Sequence, residues 1–176
     1  MRIDLQIDIE GADALLKRIQ DAGQNPSPAL KQISERLLDS TKQRFRTSTA
    51  PDGTEWAPNA PSTLFAHLGR FSGSFKKDGA LSARGSRRAG NKKPLIGESR
   101  ALSTTINYRV SGAVAEIGSP MVYAPVHQFG ARKGAFGKTR RGAPVPWGDI
   151  PARPFLGISA EDSAMIRDVL LDFTGG

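Results

Sequence analysis

Apolar and polar residues alternate strictly at the start of the chain. Ile3, Leu5, Ile7 and Ile9 fall on one side and Arg2, Asp4, Gln6, Asp8 and Glu10 on the other, a period of two that predicts a half-buried strand. Gly11 breaks that period, and from Ala12 to Ala22 the residues Leu15, Leu16 and Ile19 share one helical stripe before Gly23 closes a short amphipathic helix. Asn25-Pro-Ser-Pro28 reads as a turn in which Ser27 suits an N-cap and Pro28 the first helical position. The next helix is expected from about Pro28 to Arg46. Leu30, Ile33, Leu37, Leu38, Thr41 and Phe45 recur at steps of three and four, with Lys31, Glu35, Arg36, Asp39, Lys42 and Arg46 opposite, which makes this the main helix packed on the sheet.

The period then lapses. Asp52-Gly53 is a turn signal, and Trp56 is a large apolar anchor expected to pin the loop around it. Thr63 to Leu68 suits a short helical turn. From Gly69 to Lys93 glycine, serine, lysine and arginine dominate, and this stretch reads as an arm or flexible loop whose sparse apolar groups do not offset its ordering entropy. One turn of helix is expected within Ser99 to Ser103. Thr104–Val110, a Ser111-Gly112 turn and Ala113–Gly118 read as a β-hairpin. Val122 to Phe129 suits a strand or a turn of helix, and residues 130–149 form a second loop. Pro146, Pro151 and Pro154 keep the following segment, Ile150 to Ile158, extended. Ser159 caps a last helix favoured by Asp162, with Met165, Ile166, Val169, Leu170 and Phe173 as its buried face. The fold class expected is α+β: a small, mostly antiparallel sheet packed by a long helix and a C-terminal helix, with long basic loops.

At 176 residues the chain suits a single domain, one that hides roughly 70% of the surface its unfolded chain exposes, with basic insertions at about 69–93 and 130–149. The net charge of +8 is unevenly placed. Residues 65–100 hold nine Lys/Arg against two acids, residues 131–142 hold five against none, and the remainder carries a net −4. The basicity therefore belongs to two loops, a pattern suited to arms that meet a polyanion or an acidic protein surface, or else to solvated loops that keep the chain soluble. The chain has no cysteine, which excludes disulfides, thiolate catalysis and cysteine-ligated zinc. No apolar run approaches the roughly 20 residues of a membrane span, and a cytoplasmic setting is expected.

Candidate chemistry is sparse. Two histidines, His67 and His127, stand without a His-x-x-x-His spacing or an acid cluster, so no metal site is expected. Gly97-Glu-Ser-Arg-Ala101 lacks the final glycine and the leading strand of a nucleophile elbow. Gly85-Ser-Arg-Arg-Ala-Gly90-Asn-Lys-Lys93 lacks the Gly-Lys-Ser/Thr ending of a phosphate-cradling loop. No catalytic residue, metal or cofactor is assigned. His127, beside Tyr123, Gln128 and Phe129, invites a catalytic role; the structural alternative has its imidazole and the neighbouring amide satisfying backbone groups. Arg153, between Pro151 and Pro154, suits either an anion or partner carboxylate, or an internal salt bridge. Arg84, Arg87, Arg88, Lys92 and Lys93 in the first loop, with Arg132, Lys133, Lys138, Arg140 and Arg141 in the second, form basic arms for nucleic-acid phosphates or an acidic partner. Binding of nucleic acid by such arms is sequence-blind, because no recognition-helix or zinc-finger pattern accompanies them.

Several segments in order carry a resemblance: the alternating strand and two helices, Arg44-Phe45, Pro51-Asp-Gly-Thr-Glu-Trp56-Ala-Pro58, Leu95 to Ile106, Tyr123-Ala-Pro-Val-His-Gln-Phe-Gly130, Pro151-Ala-Arg-Pro-Phe-Leu-Gly157 and a final helix. This order resembles the phage virion-morphogenesis, or tail-completion, proteins over nearly the whole chain. The basic stretch around residues 70–93 is longer than the loop of that pattern. The resemblance implies a non-enzymatic structural protein of the virion, assembled in the host cytoplasm, that completes the tail and supports its joining to the DNA-filled head. It further implies a homo-oligomeric ring at the neck, commonly sixfold, in contact with tail tube and connector proteins, with the genome as a possible further contact and no membrane. Trp56, Tyr123, His127, Gln128, Phe129, Arg153 and Phe155 are then the candidate core, seam or partner-interface residues.

Overall fold

A computed structural model describes residues 11–21 and 25–174. The strand expected over Arg2–Glu10 lies outside the described residues. Helices α1 (Ala12–Asp21) and α2 (Ser27–Thr47) follow the predicted periods. The start of α2 differs by one residue from expectation. Ser27 is already helical, and its amide is taken by the Asn25 Oδ1 at 3.1 Å, so the asparagine upstream supplies the first acceptor and Ser27 caps nothing. The helix ends where Ser48 turns left-handed, its N–H donating to the Arg44 carbonyl at 2.7 Å.

Next come α3 (Pro61–Leu68), α4 (Ala83–Asn91), the single turn α5 (Ala101–Thr104), strands β1 (Asn107–Ser111) and β2 (Val114–Gly118), α6 (Ala124–Phe129) and α7 (Ala160–Phe173). The strands form an antiparallel hairpin from Asn107 opposite Gly118 to Ser111 opposite Val114, packed on α2. Its loop is Gly112-Ala113, one residue later than predicted. Gly112, at φ 59°, takes the first central position of the turn, the place that a two-residue hairpin reserves for a residue tolerant of positive φ. The motif segment at Tyr123 resolves as helix.

α2 runs past two apolar clusters. Towards its start, Ala29 and Ile33 pack with Ala12 and Ile19 of α1 and with Ile166, Val169 and Leu170 of α7. Towards its end, Phe45 joins Ala50, Trp56, Leu102, Ile106, Ala124, Phe155 and Leu156. α7 begins with the expected cap in full: Ser159 Oγ accepts from the Asp162 N–H at 3.1 Å, and Asp162 Oδ2 accepts from the Ser159 N–H at 3.0 Å.

The stretch from Gly69 to Lys93, expected to be irregular, is largely structured. An antiparallel bridge joins Phe75 to Leu81, Ser82 caps α4 by accepting from the Gly85 N–H at 3.0 Å, and Arg88 donates to the Ser72 carbonyl at 3.0 Å and to Ser74 Oγ at 2.9 Å while covering the Phe71 ring. Polar side chains bound to backbone supply the order that apolar burial does not. The unit closes on Gly85, where a Cβ would stand 2.0 Å from the Ser74 carbonyl oxygen. We predict that Gly85→Val opens this unit at a cost of about 1–3 kcal/mol, seen as faster trypsin cleavage after Arg84, Arg87 and Arg88. Unchanged cleavage there would rule out this packing.

Candidate functional site

The two motif segments meet. Residues 150–157 run as an irregular strap, bending at Leu156 and Gly157, across α6, α2 and the Trp56 loop, and their backbone is bound mainly by side chains. At one end Ala131 and Ile150 exchange N–H···O bonds of 2.9 and 2.7 Å, and the Arg153 N–H donates to the His127 carbonyl at 2.7 Å. Gly130 makes that approach possible: it sits at φ 76°, and a Cβ would lie 2.7 Å from the Ile150 carbonyl oxygen.

Further along, the indole Nε1 of Trp56 donates to the Pro154 carbonyl at 2.8 Å, and its ring meets Phe45 edge-on with centroids 5.3 Å apart. Gln128, buried, acts as a clamp. Its Oε1 accepts from the N–H groups of Phe155 and Leu156, both at 3.0 Å, and its Nε2 donates to the Leu156 carbonyl at 2.8 Å. Arg153 turns the other way and donates to the carbonyls of Ala57 and Pro58 at 2.8 Å each.

Arg44 holds the far end. Its buried guanidinium donates to the carbonyls of Phe155 at 3.0 Å and Gly157 at 2.9 Å, to Ser40 Oγ at 3.2 Å, and to Asp162 Oδ2 at 2.5 Å. Burial pulls the Arg44 pKa below the ordinary arginine value, against the opposing pull of Asp162. One side chain thus ties α2, the strap and the capped start of α7. The sequence signal was available: Arg44 falls three residues after Thr41 and beside Phe45, on the buried stripe of α2.

The expected site residues divide accordingly. Trp56, Gln128, Arg153 and Phe155 are buried and hold the subunit together. Arg153 makes no salt bridge among the described residues; its partners are backbone carbonyls, which overturns that expectation. The His127 imidazole does not satisfy backbone groups as expected, since its Nδ1 is buried without a partner among the described residues and the neighbouring Gln128 amide does that work. Burial, and secondarily the Arg153 charge, pushes the His127 pKa below its usual value. Tyr123 stacks edge-on against His127 and is partly exposed, and Phe129 is 61% exposed. With Val122, Phe136 and Trp147, which the sequence reading left unassigned, they leave apolar surface open.

The basic arms also divide. Of the first set, Arg88 is committed to Ser72, Ser74 and Phe71, Lys92 to the Ile96 carbonyl and Lys93 to the Arg46 carbonyl, while Arg84 and Arg87 are exposed. Of the second set, Arg132, Lys133, Lys138, Arg140 and Arg141 are all exposed, and no side-chain hydrogen bond or ion pair holds them among the described residues. Beside His127 lies an open cleft of about 440 Å³ with Asn59, Lys92, Tyr123, Asp149 and Arg153 on its walls. No group of three or more potential metal ligands occurs among the described residues, and no described helix is long and apolar enough to cross a membrane.

Compared with known proteins, the chain matches the phage virion morphogenesis family over residues 7–173, a span that takes in the strap, the clamp and the Arg44 hub. It belongs to that family. It is 26% identical over 144 residues to "Tail completion protein S" of Escherichia phage P2, an alignment that covers 80% of this chain and 78% of that one. No solved structure matches it. Within this family member, the motif residues carried by the resemblance build the interior more than the surface.

Removing the hub cation leaves a buried carboxylate without its counter-charge and two strap carbonyls without this donor. Arg44→Ala should cost about 3–5 kcal/mol, and Arg44→Met combined with Asp162→Leu should cost less than the sum of the two single changes in denaturant titration. Additive losses would show that the pair is not coupled. His127 gives a pH signature. Because its folded pKa is depressed, the folded and unfolded states are both neutral well above the ordinary histidine value of 6.5, and stability falls as pH drops towards and below it, where the unfolded chain takes up the proton first. The His127→Asn variant should lose that slope between about pH 7 and 5.5, read as the melting temperature against pH; an unchanged slope would assign it to other groups.

Proposed function

We propose that this chain is a non-enzymatic structural protein of a phage tail, which completes the tail and supports its joining to the head as one subunit of a ring at the neck. The observation that carries this reading is the match to a tail completion protein over most of both chains. The chemistry agrees with it. Trp56, Gln128, Arg153 and Arg44, the polar and aromatic groups that a catalytic reading would draw on, are bound to the chain's own backbone. What is offered outward is aromatic and basic surface, suited to contact with other proteins.

On this reading the protein is part of the virion, assembled in the host cytoplasm. Six copies close the ring, and their partners are the tail tube and the connector on the head side. A closed ring requires each subunit to present two different, complementary surfaces. The five cations of the loop 131–149, unpaired among the described residues, favour a second reading, a sequence-blind nucleic-acid-binding protein, or contact with the genome within the neck.

Electron microscopy of particles made without this chain tests the proposal. Filled heads separate from tails, or tails of aberrant length, are the expected outcome, with joined particles restored when the chain is supplied from a plasmid. Normal yields of joined, infectious particles in its absence would sink the completion role.

A further inference from the structure

The loop 131–149 is an ordered projection of one-sided chemistry. Backbone bonds hold its two arms together: Phe136 N–H to the Val145 carbonyl at 2.7 Å, Val145 N–H to Gly137 at 2.8 Å, and Thr139 N–H to Ala143 at 2.7 Å. Lys138, Arg140 and Arg141 lie at its far end, and Phe136 and the 77% exposed Trp147 lie along its flanks. Its lone acid, Asp149, is turned to the loop's own backbone, accepting from the Lys133 N–H at 2.7 Å.

The complementary chemistry sits on α7. This helix carries four acids against Arg167 alone. Asp162 faces inward to Arg44, whereas Glu161, Asp168 and Asp172 are exposed. Steps of three and four place Glu161, Ala164, Asp168 and Leu171 along one outward stripe, with Asp172 beside it. Leu171 is 45% exposed, so the stripe pairs carboxylates with an apolar contact point. No hydrogen bond or ion pair among the described residues joins this face to the loop of the same subunit.

We infer that the 131–149 loop of one copy docks on the outward face of α7 of the next copy, its cations against Asp168 and Asp172 and its aromatic flanks against Ala164 and Leu171. The two surfaces differ, so the contact is head-to-tail, the kind that closes a ring. This inference rests on the ring reading above and names the surfaces that make the seam. A nucleic-acid duplex would take the cations but would leave Phe136, Trp147 and the acidic face of α7 without a role.

The test is sedimentation of the full chain across a concentration series. Lys138→Ala/Arg140→Ala/Arg141→Ala on the loop, and Asp168→Asn/Asp172→Asn on α7, should each raise the dissociation constant for self-association by about tenfold or more, with melting temperatures near that of the unaltered chain. Charge reversal gives the sharper result. A chain with Lys138→Glu/Arg140→Glu/Arg141→Glu and a chain with Asp168→Lys/Asp172→Lys should each fail to assemble alone and assemble when mixed. Unchanged association of the neutralised variants, or failure of the mixture, would overturn the contact while leaving the ring and the completion role standing. A chain that stays monomeric throughout, yet restores joined particles, would overturn the contact and the ring together and spare the completion role. Intact self-association with loss of salt-sensitive binding to a random-sequence DNA duplex would hand the loop to nucleic acid.

Discussion

The structure depends on satisfying the backbone of a buried strap that no sheet accompanies. The strap enters the interior at Arg153, Phe155 and Leu156, and Pro154 between them carries no N–H with which to pair along a strand. Its carbonyl, and those of Phe155, Leu156 and Gly157, still need donors. A buried polar group left unpaired costs about 1–3 kcal/mol, against a net stability for a domain of about 5–15 kcal/mol. Two or three such losses would consume most of the margin. The chain meets the constraint with side chains: Trp56, Gln128 and Arg44 donate to the strap in turn, and Gln128 also accepts from it.

Gln128 makes three of these bonds and Arg44 two, but Arg44 also joins the elements that build the two apolar clusters. One cluster forms where α2 meets α1 and α7; the other gathers Phe45, Trp56, Leu102 and Phe155 around the strap. Asp162 lies at the capped start of α7, and its pairing with Arg44 fastens that helix to the strap through a single guanidinium. A cation so deeply placed is tolerated because its donors meet four acceptors. The planar fork of arginine reaches two carbonyls, a hydroxyl and a carboxylate, which an ammonium group on a flexible stem would not do with the same geometry.

What could be read from the sequence follows from what each element is made of. α1, α2 and α7 were legible because their burial follows a period, and the Ser159 cap because its partner stands three residues on. The hairpin was legible to within one residue, since several β-branched residues flank a glycine turn and only the position of that glycine sets the register. The internal salt bridge considered for Arg153 does not form among the described residues, because its acceptors are the backbone carbonyls of Ala57 and Pro58, which a sequence does not display. The segment Gly69 to Lys93 was misread for the same reason: Ser74, Ser82, Gly85 and Arg88 order it through backbone contacts that leave no apolar pattern. Arg44 entered only as part of the resemblance and was given no role, because a cation within a basic helix resembles a surface residue unless its place on the buried stripe is weighed first.

The strap also fixes what the surface presents. The bridge between Ala131 and Ile150 roots the basic loop on the same backbone that Gln128 and Arg44 hold from within. A loop on a free tether would lose its conformational freedom on every contact, at a cost that subtracts from affinity. This loop has given up much of that freedom on folding, through its own ladder of backbone bonds and its bridged root. Its cations and aromatic side chains are therefore displayed in a set direction relative to α7, which is fastened to the strap by Asp162. Two surfaces held at a fixed angle by one buried network are what repeated head-to-tail contact requires, since any slack between them would leave open the number of subunits at which a ring closes.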